Sequence, residues 1–392
     1  MDAAFHDPLV IALENEYLGL STDLRIPGVM TRTSPDLLEW SEPFPLLRDT
    51  PPSVKRHVDT DRFWAPELVK RGDEWRLYCC ASRFGTTQSV IGLAKSTDPK
   101  GPYTYAGDVV VSQHSSTFTQ ANAIDPCVVA DRDGNDWLVY GSFFGGIRIL
   151  RLNREGFPAE YHEGLCIAGG NHQAIEGGYV WYHAPSDRFI LFTSWGDLNE
   201  DYHIRVGYSR EVTGPYLDAK GLPMTDLDPI HHPGDKLSGG YHFAGMPGVK
   251  ATGHNSLLHH RDGHVYLVNH ARPEGKGGRP FLQIRRLLFL EDGRALAWPL
   301  CYDGEPLEAT PQLPERWQVV YHSRLNNGVN YSIGVTAAQA QAERQGDCIT
   351  MELFGIRWQG FVYRHSGRVA CTLLSPEGES LWGIADDAPP EA

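Results

Sequence analysis

Five ionisable residues, spaced at similar intervals along the chain, each stand just before a short apolar segment. They are Asp7, Glu67, Asp125, Glu176 and His254, at intervals of 60, 58, 51 and 78 residues. Carboxylates that converge on one place repel one another, so at least one of them should have a raised pKa. A raised pKa beside an ordinary one supplies a general acid and a general base at neutral pH. The spacing therefore predicts acid–base chemistry at one shared site.

A repeat of about sixty residues accounts for this spacing. Strand-like segments, each followed by a turn and a further extended piece, begin at Val29, Ile91, Ile147, Ile204 and Leu282. Repeated β units of this size are typical of propeller blades, whose first strands line a common axis. Five units fit residues 1–305, so the five ionisable groups should face that axis. The alternative is a stack of unrelated hairpins.

The rest of the pattern is also all-β. Asp-Gly pairs, which are typical of hairpin turns, lie at 133–134, 262–263 and 292–293. A Pro-rich segment near 306–314 predicts a domain boundary. Beyond it, alternating segments predict a small β-barrel or sandwich, with one short helical turn in VTAAQAQAERQ. We therefore predict a five-bladed β-propeller over residues 1–305 and a small β-rich domain over 315–388.

Composition excludes several classes of partner. The formal net charge is −14, which argues against nucleic acid or an anionic membrane and is compatible with a neutral ligand. No apolar run is long enough to cross a bilayer. The chain has 10 Trp, 17 Tyr and 15 Phe, which are enough both to pack a core and to line a carbohydrate site.

The seven cysteines bear on the compartment. Their number is odd, and no CxxC or Cys/His metal spacing occurs. We expect mostly buried free thiols, which suit a reducing compartment. The expected location is the cytoplasm if the N-terminus is native, and outside the cell if a leader has been removed.

The ordered motifs resemble glycoside hydrolase family 43, and within it the arabinan endo-1,5-α-L-arabinanases. The similarity covers roughly residues 4–300 and rests on HDP, FWAPEL, ASRFGTTQSVIGLAKSTDPKGPY, NAIDP, AIEG, TGPYLD and GHNSL. The family fold is a five-bladed propeller, in agreement with the repeat count. The C-terminal stretch resembles the small β-barrel that follows the propeller in some of these enzymes.

The resemblance implies a role for each of three carboxylates. Asp7 would be the general base that activates water, and Glu176 the general acid that protonates the leaving oxygen. Asp125 would raise the pKa of the acid and orient it. The mechanism would be inverting, with the base and acid carboxyls roughly 6.5–9.5 Å apart to admit a water. Glu176 follows Ile175 and precedes two glycines, which suits a raised pKa, whereas Asp7 beside His6 should stay ionised.

The resemblance also implies residues that bind the sugar. Asn122 and Ser142 match positions that hold the sugar at the cleaved bond, together with Asp7 and Asp125. Gly85 matches a place where the backbone closely approaches the substrate. The candidate aromatic platforms, for which core packing is the alternative, are Trp64, Phe84 and Phe144.

One histidine raises the question of a metal. His254 matches a histidine that binds a metal ion on the axis, often calcium, with waters in the remaining positions. A single His is a poor calcium signature, because calcium prefers oxygen ligands. The alternative is a structural histidine hydrogen-bonded to the acid. No organic cofactor is expected.

Three features depart from the family pattern. The acid is followed by Gly177-Gly178 rather than by a nearby proline, and Phe144 stands where Trp is usual. The segment 231–250 is longer and richer in His and Gly than the usual connection between blades, so a loop there is expected to cap one end of the cleft. These departures leave substrate length and endo action open.

Three functions are therefore weighed. The first is an inverting hydrolase of α-1,5-linked L-arabinofuranosyl bonds in arabinan or arabino-oligosaccharides. The second stays in the family as an exo-acting α-L-arabinofuranosidase or a β-xylosidase. The third is a non-catalytic sugar-binding propeller, which would have no need of three carboxylates. Because Asp7 lies so near the chain start, we also expect the segment just before residue 305 to pair with residues 1–30 within one blade.

Overall fold

The computed structural model describes residues 4–23, 25–113, 120–160, 162–310 and 312–386. Strands of the first three blades follow one another as four-stranded antiparallel sheets in sequence order. Blade one comprises β1 (His6–Ala12), β2 (Tyr17–Thr22), β3 (Met30–Ser34) and β4 (Phe44–Pro45). Blade two comprises β5 (Trp64–Arg71), β6 (Glu74–Ser82), β7 (Ser89–Ser96) and β8 (Thr104–Ser112). Blade three comprises β9 (Cys127–Ala130), β10 (Asp136–Tyr140), β11 (Ile147–Arg151) and β12 (Leu165–Ala168).

The next two blades complete the ring. Blade four comprises β13 (Ile175–His183), β14 (Arg188–Trp195), β15 (His203–Ser209) and β16 (Asp235–Ser238). Blade five comprises β18 (Val249–His259), β19 (Val265–Pro273), β20 (Phe281–Phe289) and β21 (Ala295–Ala297), and β17 (Tyr241–His242) extends its inner side. The predicted five-bladed propeller is confirmed. The three predicted Asp-Gly pairs lie in the turns that join β9 to β10, β18 to β19 and β20 to β21.

Seven strands form a curled sheet after the propeller. They are β22 (Arg316–His322), β24 (Ile333–Thr336), β25 (Glu343–Gln345), β26 (Cys348–Leu353), β27 (Ile356–His365), β28 (Arg368–Leu374) and β29 (Ser380–Ala385). The predicted helical turn is α2 (Ala337–Ala340), closed by a capping box between Thr336 and Gln339. The C-terminal β domain is confirmed, whereas the boundaries at 305 and 315–388 stay predictions.

Helix is scarce in the rest of the chain. The connection between blades one and two contains α1 (Pro52–His57), and a single 3₁₀ turn covers Ala184–Ser186. Within the described residues, the helices are too short and too polar to cross a membrane.

Apolar clusters between neighbouring blades hold the ring together. Each blade presents alternate aliphatic residues to its neighbours, as expected for sheets buried on both faces. Leu20 of blade one packs with Leu77 of blade two, and the ring closes where Val10 of blade one meets Val268 of blade five. Burial of these faces is the main stabilising contribution, at roughly 25 cal/mol per Å² of apolar surface.

The propeller ring is not closed by terminal strands that pair within one blade, which is what we expected. β1 is the inner strand of its own blade, and blade five is built from residues 249–297. Contact across the joint includes a bridge between Ala4 and Phe281 and hydrogen bonds from Ser256 Oγ to Pro8 O (2.7 Å) and from the Asp7 N–H to His270 Nδ1 (3.2 Å). The prediction of paired terminal strands was therefore wrong, because packing between blades one and five closes the ring.

The segment 231–250 of the propeller contacts the C-terminal domain. It contains β16 and β17, and β17 pairs in parallel with β23 (Asn330–Tyr331), which precedes β24. The interpretation of 231–250 as one long loop was therefore wrong, because β16 pairs with β15 of blade four and β17 pairs with both β18 and β23.

A buried ionic cluster reinforces this junction between the domains. The Arg324 guanidinium lies 2.6 Å from Asp218 Oδ2 and 3.1 Å from Asp235 Oδ1. All three side chains are buried. The Arg205 guanidinium, also buried, donates to the Arg324 carbonyl oxygen (2.8 Å). Blade four and the C-terminal sheet are therefore linked by charges that have no access to water.

Candidate active site

The inner strand of each blade begins with a residue in the left-handed region of φ. These residues are Asp7, Ala65, Asp125, Gly177 and His254, with φ between 31° and 60°. In blades one, two, four and five the pairing register also shifts at this point. A bulge of this kind turns side chains away from the regular pleat. The repeated bulge therefore directs the start of every blade towards the axis.

Three consecutive residues from each blade line a narrow axial cavity of about 20 Å³. In blade one they are Asp7, Pro8 and Leu9, and in blade two they are Ala65, Pro66 and Glu67. Glu67 is therefore the counterpart of Leu9, two positions further along the strand than Asp7. The expectation of five equivalent ionisable groups was wrong for blades two and four, where Ala65 and Gly177 take the position of Asp7.

Asp7 is surrounded by histidines and one hydroxyl. His254 Nδ1 lies 3.0 Å from its Oδ1, and His6 Nδ1 lies 2.8 Å from its Oδ2. Thr22 Oγ1 donates to Oδ2 at 2.7 Å. Burial alone would raise the pKa of Asp7, but His254 and His6 outweigh it and hold that pKa well below its usual range. Asp7 is therefore an ionised carboxylate at neutral pH.

His270 completes this environment from the second strand of blade five. Its Nδ1 accepts a hydrogen bond from the Asp7 backbone N–H (3.2 Å) and lies 3.7 Å from Oδ1. Burial lowers the pKa of His270 well below its ordinary value, so the ring is neutral. His6 differs, because the Asp7 charge outweighs burial and raises its pKa.

Glu176 lies in the opposite electrostatic situation. Burial raises its pKa, the Asp7 charge raises it further, and His254 with the Tyr202 and Ser142 hydroxyls opposes the shift. Ser142 Oγ donates to Glu176 Oε2 at 2.9 Å. A raised pKa is the direction of shift that a general acid requires.

Asp125 is also shifted upward. Burial raises its pKa well above the ordinary value, and the charges of Glu176 and Asp7 add to the effect. Its Oδ2 accepts a hydrogen bond from the Gly177 N–H (3.0 Å), directly after Glu176. Asp125 thus fixes the backbone that carries the acid. One carboxyl with a lowered pKa beside two with raised pKa values is the arrangement that separates base from acid.

The space around Gly177 explains why a glycine follows the candidate acid Glu176. Gly177 has φ +60°, and a Cβ at this position would lie 3.3 Å from His254 Nδ1 and 3.4 Å from Ser194 Oγ. Ser194 Oγ in turn accepts the His254 N–H at 2.7 Å. A side chain at 177 would therefore press on the histidine that contacts Asp7.

The predicted sugar-binding residues divide into three groups. Ser142 contacts Glu176, whereas the buried Asn122 accepts a hydrogen bond from Ser89 Oγ through its Oδ1 (2.6 Å). Phe84 is 80% exposed, its ring centroid lies 6.4 Å from that of Trp64, and Gly85 beside it faces open space. An exposed, fixed aromatic ring is suited to a sugar face.

Phe144 lies at another part of the site. Its ring meets His172 edge-on, with the centroids 4.7 Å apart, and its φ is 21°. Such a φ is strained for an aromatic residue. Neither the role of Phe144 as a sugar platform nor that of Trp64, Phe84, Asn122 or Gly85 is established, and these roles stay predictions.

The predicted metal at His254 also stays a prediction. His254 Nδ1 faces Asp7, which leaves Nε2 as the ring nitrogen for a metal. Asn255 next to it lines the axial cavity, and its amide oxygen and nitrogen are buried without a hydrogen-bond partner among the described residues. A cavity of about 20 Å³ accommodates one water-sized species. The donor set thus fits a single water or a cation that is held mostly through oxygen atoms.

A second group with metal-binding residue types fits less well. His6, Asp7 and His270 have ligand atoms within 4.8 Å of one another. His270 Nδ1, however, already accepts the Asp7 N–H, and its Nε2 is buried. The lone pair of His270 Nδ1 already accepts a hydrogen bond and is therefore not free to bind a metal.

Several residues of the site were missed from the sequence. Thr22, His270, Tyr202 and Ser194 lie on outer strands or in a connection and reach the site only through strand pairing. The pairing of Gly253 with His270 illustrates this, since it places the histidine opposite the start of β18. A histidine in VNHARP has no local signal for such a role.

Comparison with known proteins identifies the family. The sequence pattern of glycosyl hydrolases family 43 matches residues 2–293. The chain belongs to glycosyl hydrolases family 43. It is therefore a glycosidase, and Asp7, Asp125 and Glu176 are its candidate catalytic carboxylates.

Relatives in this family extend the comparison. The chain is 29% identical to the extracellular endo-α-(1→5)-L-arabinanase of Thermotoga petrophila, over 97% of this chain and 93% of that protein. It is 31% identical to the extracellular exo-α-(1→5)-L-arabinofuranosidase ArbA of Cellvibrio japonicus, over 75% of this chain and 85% of that protein. The crystal structure of an endo-1,5-α-L-arabinanase from T. petrophila matches with a TM-score of 0.88 and 27% identity, covering 98% of this chain and 99% of that one.

Proposed function

We propose that this protein is an inverting, endo-acting hydrolase of α-1,5-linked L-arabinofuranosyl bonds in arabinan. The observation that carries the proposal is the division of protonation states around the axis. The histidines hold the pKa of Asp7 well below its usual range, whereas burial and the Asp7 charge raise the pKa of Glu176. The similarity to arabinanases supports the choice of sugar.

Each carboxyl has a step in this mechanism. Asp7 takes a proton from a water, which then attacks the anomeric carbon as the glycosidic bond breaks. Glu176 gives its proton to the leaving oxygen, and the product has the opposite anomeric configuration. Asp125 fixes the backbone of the acid through the Gly177 N–H. Ser142 orients the acid through its hydrogen bond to Oε2, and Thr22 orients the base through its hydrogen bond to Oδ2.

Endo action is supported by the similarity to endo-acting relatives along nearly the whole chain. The endo-acting relative aligns over both the propeller and the C-terminal sheet, whereas the exo-acting one covers 75% of this chain. The relatives are named as extracellular enzymes, which supports secretion of this one. Arabinan is the proposed substrate, and the C-terminal domain is proposed to support the catalytic face through β17 and β23.

Product analysis tests this function. Debranched arabinan should release reducing ends with a rapid fall in polymer length, while nitrophenyl arabinofuranoside and nitrophenyl xyloside should be poor substrates. Glu176→Gln should abolish release while the unfolding midpoint stays close to that of the wild type. Release of arabinose alone would establish exo action, and faster release from the xyloside would overturn the choice of sugar. Sugar binding without release of any reducing ends would refute the proposed hydrolysis.

A further inference from the structure

A sugar-sized cavity adjoins the candidate base on the side of blades one and five. It has a volume of about 360 Å³, and its wall includes His6 and Thr22, the two side chains that contact Asp7 Oδ2. A second cavity of about 770 Å³ shares Ala4, Arg25 and Arg279 with it. Together they form one groove that leads outward from Asp7, which we call the arginine groove.

Guanidinium groups dominate the inner part of this groove. Arg25, Arg272 and Arg279 line the inner cavity, and Asp23 is the carboxylate among its lining residues. Asp23 is already engaged, since Arg25 donates to it from its backbone N–H, Nε and Nη2 at 2.6–3.0 Å. No carboxylate other than Asp23 lines the inner cavity, so the carboxylates that act on Arg272 are Asp7 and Asp197 outside its wall. Glu39 and Glu42 line the outer cavity, so an acidic ligand is expected in the inner part of the groove.

The two remaining arginines differ in how they are held. Arg272 is half-buried and fixed by donation to two backbone carbonyls, those of Leu198 (3.0 Å) and Gly278 (2.8 Å). Arg279 is exposed and makes no hydrogen bond or ion pair within the described part of the chain. One guanidinium is thus preorganised and the other is free to close on a ligand.

Such an arrangement is unexpected for a purely neutral substrate. The protein carries a net charge of −14, and a neutral arabinan presents only hydroxyl and ether oxygens. A planar guanidinium matches a carboxylate, to which it can donate two parallel hydrogen bonds. Trp40 in the wall of the outer cavity adds an aromatic surface against which a sugar can lie.

We propose that the arginine groove binds the carboxylate of an acidic sugar, so that the preferred substrate is an arabinose-containing chain that carries a uronic acid residue. This inference rests on the proposed glycosidase function, and it adds the chemistry of a neighbouring residue to it. Arg279 and Arg272 bind the carboxylate, and the neutral arabinofuranosyl bond lies over Asp7 and Glu176. The other reading of the arginines is that they offset the catalytic carboxylates at long range.

A matched pair of substrates separates these readings. One is an arabino-oligosaccharide extended by a uronic acid residue, and the other is the same compound with its carboxyl reduced to an alcohol. A charge-assisted hydrogen bond predicts a kcat/KM at least about tenfold higher for the acidic compound. The preference should shrink as salt is raised from 0.01 M to 1 M, since the groove is open to solvent.

Two variants complete the test. Arg279→Gln should lose the preference and keep its kcat/KM on the neutral compound. Arg83→Gln is the control, because Arg83 is an exposed arginine in the turn that bears Phe84 and lies outside the groove. Equal kcat/KM for the two compounds in the wild type would overturn the proposal. An equal loss of preference in both variants would also overturn it, since it would show a general effect of net charge.

Ligand binding to an inactive variant tests the arginine groove even if the proposed hydrolysis is wrong. Calorimetry with Glu176→Gln measures the affinity for both compounds. Tighter binding of the acidic compound, lost in the double variant with Arg279→Gln, supports the groove even if the wild type cleaves neither. Equal affinities would refute the groove whatever the wild type cleaves.

Discussion

Replacement of Ser142 by alanine tests how the acid is tuned. Ser142 Oγ donates a hydrogen bond to Glu176 Oε2 at 2.9 Å. The hydroxyl stabilises the ionised form of Glu176 more than the protonated form, and so it lowers the pKa of the acid. Removal of the hydroxyl should therefore raise that pKa.

The size of the shift follows from hydrogen-bond energies. A hydrogen bond to a charged group contributes about 1.5–3 kcal/mol, and one between neutral groups about 0.5–1.5 kcal/mol. The difference of roughly 1–1.5 kcal/mol corresponds to about one pKa unit. Because Glu176 must be protonated to act, the alkaline limb of the pH–rate profile should move up by about one unit in Ser142→Ala.

The assay is kcat/KM on debranched arabinan from pH 4 to pH 10. Ser89→Ala serves as the matched control, because Ser89 is a buried serine near the cleft that donates to Asn122 instead of a carboxylate. The control should leave the alkaline limb unchanged. A uniform fall of activity in Ser142→Ala, with no movement of the limb, would show that Ser142 only holds the sugar. That result would refute the reasoning about the acid.

Three further predictions concern the axis, the domain junction and the first strand. Burial raises the pKa of Glu67 to about 8, so the fold keeps a proton that the unfolded chain loses above its ordinary value of 4.5. The contribution of Glu67 to stability should therefore fall between these two pH values, by about 3 kcal/mol at pH 7. Urea unfolding of Glu67→Gln should show a smaller slope than the wild type, and the slope that remains comes from the other carboxyls with raised pKa values, Asp125, Glu176 and Asp235. A slope equal to that of the wild type would contradict the protonated state of Glu67. Arg324→Ala leaves Asp218 and Asp235 buried without their cation and should cost about 3–5 kcal/mol in urea unfolding; a loss below 1 kcal/mol would show that the cluster is solvated. Deletion of residues 1–6 should abolish hydrolysis of arabinan, and unchanged turnover would argue against Asp7 as the base.

The sequence was informative where chemistry and fold share one local signal. Asp7 and Asp125 each precede a proline at the start of an inner strand, and both lie on the axis as predicted. The blade repeat predicted the propeller because each unit carries its own turns and its own inner strand. The left-handed φ of these residues was not predicted, because no local pattern specifies a bulge in which an aspartate adopts that conformation.

Contacts between blades could not be predicted from the sequence. Glu67 was grouped with Asp7 by spacing, but the bulge at Ala65 places it two residues further along its strand. His270 and Thr22 reach Asp7 from strands whose register depends on such bulges. The strands within 231–250 were missed for a similar reason, since β16 pairs with β15 of blade four and β17 pairs with residues 330–331 of the C-terminal domain.

The anomer that is first released from a linear α-1,5-linked arabino-oligosaccharide tests the central assignment most directly. Time-resolved proton NMR follows it before mutarotation. If Asp7 activates a water that attacks opposite the bond protonated by Glu176, the β-anomer appears first, and Asp7→Asn releases neither anomer. Early appearance of the α-anomer, or unchanged release by Asp7→Asn, would contradict the account.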